Sequence, residues 1–147
     1  MEKSIEYLKE QFELGKVDIK TYSPLTLAFI GDGIYDLFIR TIIVGEGNCQ
    51  ANKLHKRVSS LVKATRQSKM IKKIKSALTE EERNVYKRGR NAKSHSVAKN
   101  ASTADYRRAT GFEAVMGYLY LTGQLERIVD LIKLGLNKEE NAEDEME

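Results

Sequence analysis

Asp32 and Asp36 stand inside "LAFIGDGIYDLF" (27–38), a stretch otherwise apolar enough for the centre of a protein core. A buried carboxylate must pair with a cation, bind a metal or take up a proton. Asp36 has a local answer, because Arg40 follows four residues later on the same helical face. Asp32 has none in its own segment, so either an Arg or Lys from elsewhere in the chain faces it or it ligates a metal. Gly31 and Gly33 flank it at a cost to helix stability, which marks a place where a neighbouring backbone or a ligand comes close.

Glu113 raises the same question in "TGFEAVMGYLYL" (110–121). Thr110 lies one turn before it and Gly117 one turn after it, small groups that admit a neighbouring helix near the carboxylate. The alternative is a salt bridge to Arg107 or Arg108 at the preceding turn. If the two helices pack together, Asp32 and Glu113 converge on one hard cation. Carboxylate oxygens suit magnesium or manganese, and no Cys or His lies in either segment to favour a softer metal. Such an ion beside a basic surface points to phosphodiester hydrolysis. The rival chemistry is metal-free acid–base cleavage by His55 and His95, which read equally as phosphate contacts or plain surface residues. No Walker-type glycine loop and no GxSxG is present.

The elements that must hold these acids are helical. The chain of 147 residues has one proline and ten glycines, with abundant Leu, Ile, Ala, Lys and Glu, and it predicts a single all-α domain. Ile5, Leu8 and Phe12 mark a first helix ending near Gly15. Ser23 caps the next, with Pro24 at its first position, and the pattern to Val44 is apolar on nearly all sides, as for a buried central helix. Its charges and glycines argue against a membrane span. Leu54, Val58, Leu61 and Val62 define an amphipathic helix, and a further stretch runs through Met70, Ile71 and Ile74. Thr79 and Glu82 form a capping-box signature for a helix that runs out near Gly89. Residues 89–103 lack an apolar period and read as a mobile surface loop. A helix from about Ala104 to Thr122 closes at Gly123, and Leu125, Ile128, Val129, Ile132 and Leu136 make the last one. The folded part is expected over 1–137, with 138–147 an acidic, disordered tail.

Charge is distributed unevenly. Residues 51–100 carry 15 Lys and Arg against three Glu, whereas residues 138–147 hold six acidic groups against Lys138. A basic middle of this size suggests a polyanionic partner, nucleic acid or an anionic surface, although a solvated helix face is the plainer reading. Cys49 is alone, which excludes a disulfide framework, and the charged start "MEKSIEYLKEQ" lacks the apolar segment of a signal peptide. A cytoplasmic protein is expected.

"LAFIGDGIYD" (27–36) resembles the signature helix of the ribonuclease III catalytic domains, and "TGFEAVMGYLYL" resembles their second metal-binding helix. With "RGRNAKS" (88–94), and with no double-stranded-RNA-binding domain after residue 137, the chain is similar to the Mini-ribonuclease III branch of that family over roughly residues 20–136. The resemblance implies a helical-bundle endonuclease domain acting as a homodimer on double-stranded RNA. Each subunit would hold a magnesium-dependent centre, with manganese a possible substitute, that leaves 5′-phosphate and 3′-hydroxyl ends. It also implies maturation of the large-subunit (23S) ribosomal RNA precursor, with contacts to a ribosomal protein or ribosomal particle.

Residue by residue, Asp32 matches the aspartate of the signature and Glu113 the glutamate of the second helix, as catalytic metal ligands. The family's further acid one turn before each is replaced here by Ala28 and Thr110. The resemblance therefore leaves one or two ions open, with Asp36 as a supplementary ligand directly or through water. Lys53, Lys56, Arg57, Arg88, Arg90, Lys93 and Lys99 would grip the RNA backbone, whose deep narrow groove hides the base edges. The alternative function is a non-catalytic helical RNA-binding or ribosome-associated protein with an incomplete metal site.

Overall fold

The computed structural model describes residues 1–93 and 102–137, and among them every regular element is helical. In chain order these are α1 (Glu2–Gln11), α2 (Pro24–Gly45), α3 (Ala51–Val62), α4 (Ala64–Ile74), α5 (Glu80–Asn91), α6 (Thr103–Leu121) and α7 (Leu125–Gly135). Short 3-10 turns at Ile19–Thr21 and Lys75–Ala77 precede α2 and α5.

The starts are set by local chemistry. The Ser23 hydroxyl accepts from the Thr26 amide at 3.2 Å, with Pro24 at the first position of α2. Thr79 and Glu82 close a reciprocal capping box on α5. Ser102 caps α6 through the Asp105 amide at 3.1 Å, so this helix begins at Thr103. It stops where Gly123 takes a left-handed φ of 73°.

α2 and α6 make the most extensive pairing, α4 and α5 pack along α6, α3 lies on α2, and α7 closes over α4 and α6. The centre is Tyr35 of α2 edge-on to Phe112 of α6, ring centroids 5.0 Å apart. Around them Ile39, Met70, Ile71, Ile74, Met116, Leu119, Ile128 and Leu131 are buried. The Tyr35 hydroxyl donates to the Leu61 carbonyl at 2.8 Å, so its one polar atom is satisfied and α3 is pinned to the core. The Arg127 fork grips the buried Glu82 carboxylate with two 2.9 Å hydrogen bonds and the Ala77 carbonyl at 2.8 Å, tying α7 to α5.

Three expectations are corrected. α1 ends at Gln11, Glu13 rather than Gly15 takes the positive φ, and Leu8 and Phe12 are exposed, so the helix buries none of its residues. α2 is central but not covered all round: Leu25, Phe29, Leu37, Ile42 and Val44 are exposed, because its packed partners lie on the opposite side. The helix opened by Thr79 continues past Gly89 to Asn91, since Gly89 is buried against α6 and packing offsets its poor propensity. Residues 94–101, with His95 and Lys99, and residues 138–147 lie outside the described residues. No helix among the described residues is long and apolar enough to cross a membrane.

Candidate metal and catalytic site

Two glycines bring the acid-bearing helices together. A Cβ atom on Gly31 of α2 would fall 1.7 Å from the Glu113 carbonyl oxygen, and one on Gly117 of α6 would fall 1.9 Å from the Leu27 carbonyl oxygen. Each helix therefore meets the other's backbone, an approach only glycine permits. At Gly33, by contrast, an added Cβ would meet nothing within 4 Å among the described residues.

At that crossing the Asp32 and Glu113 side chains lie within hydrogen-bonding reach of one another. Their exposures differ: Asp32 is on the surface, which corrects the expectation of a buried aspartate, and Glu113 is half-buried. Burial first, and then the adjoining Asp32 carboxylate, push the Glu113 carboxyl up to about 9. A smaller, opposing pull from the Gln67 side chain favours the ionised form. Two carboxylates so close share a proton unless a cation neutralises them.

The alternatives weighed for these acids find other partners. Arg108 reaches Asp105 at 3.4 Å and the Ser68 hydroxyl, leaving Glu113 without an arginine from the preceding turn. No ion pair to Asp32 exists among the described residues. Asp36 is held by the Arg40 guanidinium at 2.7 Å. Among the described residues no three His, Cys, Asp or Glu side chains assemble as a metal-binding group. Ala28 and Thr110 are buried, and the Thr110 hydroxyl is spent on the Tyr106 carbonyl at 3.0 Å.

The donor chemistry suits a hard divalent ion: two neighbouring carboxylates, with unmet negative charge when both ionise. On α4, Gln67 Oε1 is a buried acceptor with no hydrogen-bond partner among the described residues. Gln67 was missed by sequence reasoning, although a signal exists. It continues the Met70, Ile71, Ile74 stripe one turn back, a polar residue at a core position.

The basic residues divide. Lys53 and Lys56 are exposed on α3. Arg57 instead pairs with Glu46 across the loop from α2. Arg88 and Lys93 are exposed at the end of α5, while Arg90 lies over the Tyr86 ring, 5.6 Å from its centroid. His55 is exposed on α3 and belongs to no cluster of metal-binding side chains among the described residues.

Residues 25–124 match the family model described as the ribonuclease III domain. The Mini-ribonuclease 3 of Clostridium tetani is 50% identical over 143 residues, covering 96% of this chain and 93% of that protein. The Mini-ribonuclease 3 of a Thermoanaerobacter species is 46% identical over 137 residues, 92% of this chain and 96% of its own. The X-ray crystal structure of protein FN1578 from Fusobacterium nucleatum superposes with a TM-score of 0.76 at 35% identity, covering 82% of this chain and 98% of that one.

Proposed function

Since the chain belongs to the ribonuclease III domain family and is an endoribonuclease, we propose that it cleaves double-stranded RNA in a magnesium-dependent reaction centred on Asp32 and Glu113. The observation that carries this reading is the approach of those two carboxylates, in a chain whose residues 51–100 hold 15 Lys and Arg against three Glu. The family is generally divalent-metal dependent and acts on duplex RNA. Bound magnesium, or manganese in its place, supplies an activated water and neutralises charge on the phosphate.

The chain's own residues do the rest. Asp32, at the surface, offers its oxygens where a phosphate can reach them, and Glu113 holds the inner side. Asp36, clamped by Arg40, shapes the approach from the next turn and has an outer role. Lys53, Lys56, Arg88 and Lys93 hold phosphates by charge, with Arg57, Arg90 and Lys99 beside them, so recognition follows backbone shape. The products are 5′-phosphate and 3′-hydroxyl ends, and the cellular substrate is the large-subunit (23S) ribosomal RNA precursor in the cytoplasm, reached on ribosomal particles.

The catalytic unit, residues 1–137, works as a homodimer. Leu25, Phe29, Gly33 and Leu37 recur every fourth residue on α2 and face solvent, with Phe29 81% exposed. Beside them a groove between α2 and α7 is lined by Leu37, Phe38, Ile42, Val129, Ile132 and Leu136. A second copy covers this apolar stripe, and Gly33, open within one chain, admits its close approach.

The test is cleavage of an interrupted RNA duplex with added magnesium. Wild type cuts, and Asp32→Asn and Glu113→Gln, folded but inactive, support the site. Unchanged cutting by both variants would remove it.

A further inference from the structure

Met1, Ile5, Leu8 and Phe12 recur at spacings of three and four and lay one apolar stripe along α1. The chain does not bury it: Leu8 is 49% and Phe12 73% exposed, and no other helix among the described residues packs along α1. A helix of ten residues is marginal in water by itself, so a surface that covers the stripe is what would hold it. The groove between α2 and α7 is such a surface. It measures about 1140 Å³ and is walled by Leu37, Phe38 and Ile42 on one side and Val129, Ile132 and Leu136 on the other. That is room for a helix face rather than for one side chain. The wall from Val129 to Leu136 and the stripe from Ile5 to Phe12 each advance seven residues, about 10 Å of helix.

The α1 of the same chain leaves the groove open, since only Met1 of its stripe touches it. From Asp18 onward the chain is tied down: the Asp18 carboxylate accepts from the Lys20 amide at 3.0 Å, and Ile19 and Tyr22 pack on the core. α1 is therefore an arm attached just before the first turn of α2, whereas the groove runs beside Leu37–Ile42 in the second half of that helix. A two-fold axis that lays two α2 stripes antiparallel about Gly33 sets the start of each α2 opposite the second half of the other. Each arm then arrives at the other copy's groove. Leu37 belongs both to the α2 stripe and to the groove wall, so the two surfaces are continuous.

We propose that α1 is an exchanged arm: in the homodimer, the Ile5, Leu8 and Phe12 face of each copy seats in the α2/α7 groove of the other. This rests on the homodimer reading of the α2 stripe and extends that interface to a second, separate pair of surfaces. A second copy suits the groove better than RNA does, because its walls are apolar and its charged residues, Asp130 and Lys133, are one of each sign, which offers nothing to a polyanion.

The test uses the full chain with Cys49→Ser, so that introduced thiols are the only ones. Leu8→Cys and Val129→Cys proteins are mixed, left to exchange subunits and treated with a short bismaleimide cross-linker. A covalent dimer holding one of each variant is expected from the mixture and from neither protein alone. A mixture that sediments as a dimer yet gives no such product overturns the arm and leaves the homodimer standing. So does a chain carrying both cysteines that links only within itself. Monomer alone in sedimentation would remove the homodimer reading and the arm with it. Phe12→Ala, which keeps the helix and shortens the stripe, should raise the dimer dissociation constant about tenfold or more. A folded Phe12→Ala with the wild-type constant also overturns the proposal.

Discussion

Gly31 and Glu113 meet backbone to backbone: a methyl carbon on Gly31 would lie 1.7 Å from the Glu113 carbonyl oxygen, at the residue that carries the inner acid. The packing of α2 on α6 and the assembly of the site are thus one event. Gly31→Ala must push the helices apart, at about 1–3 kcal/mol or more. At this chain length each kcal/mol is worth roughly 3 °C, so calorimetry should show a melting temperature lower by about 3–10 °C. Cleavage should fall with it even at temperatures where the variant is folded, because Asp32 and Glu113 no longer meet.

Asp32→Asn and Glu113→Gln each remove an ionised oxygen ligand. Cleavage should fall by at least about a hundredfold in either, since metal stabilisation of the transition state amounts to several kcal/mol. Single-turnover assays at saturating RNA measure it, with circular dichroism as the check on folding.

The Glu113 carboxyl gives the metal-free protein a pH signature. Its folded pKa of about 9 is above its ordinary 4.5, so the folded state holds the extra proton between those values. The stability it contributes is fully present below pH 4.5 and is lost as pH rises towards 9. Urea unfolding in EDTA should give a falling midpoint across that window, and Glu113→Gln should flatten this fall. Added magnesium, by neutralising the pair, should flatten it too.

Glu82 behaves in the opposite sense. Burial works to raise its carboxyl, but the Arg127 fork and the Thr79 cap outweigh this and leave its pKa below the usual carboxylate value. Its contribution is present above about 4.5 and is lost as pH falls through the lowered folded pKa. Arg127→Leu leaves the buried carboxylate uncompensated and should cost about 3–5 kcal/mol, read by urea denaturation at pH 7.

Phe29 is the exposed aromatic of α2, and Phe29→Asp should separate the homodimer without unfolding the chain. Sedimentation at micromolar concentration should show wild type at twice the monomer mass and the variant at the monomer mass. Wild type found only as monomer would count against the dimer.

Lys53→Gln and Lys56→Gln should each weaken duplex RNA binding on all sequences alike and reduce the salt slope by about one. Fluorescence anisotropy across a salt series, in EDTA so that no RNA is cut, gives both numbers. Arg57→Gln should do less, because Arg57 is already paired with Glu46.

Much of this protein was legible in its sequence, for local reasons. Helix starts at Ser23 and Thr79 follow from side chains that cap their own backbone within three residues. The Asp36–Arg40 pair is likewise set by spacing on one turn. The acids Asp32 and Glu113 stood out because charge in an apolar run demands a reason, and small neighbours hinted at a close crossing. Tertiary structure alone decided which glycines make that crossing, Gly31 and Gly117 but not Gly33, because a glycine's use depends on what lies against it. It decided that Asp32 is exposed and Glu113 half-buried, and that one face of α2 is left open. Burial and contact between residues 81 to 90 positions apart belong to the packed chain, and no periodicity within one helix contains them.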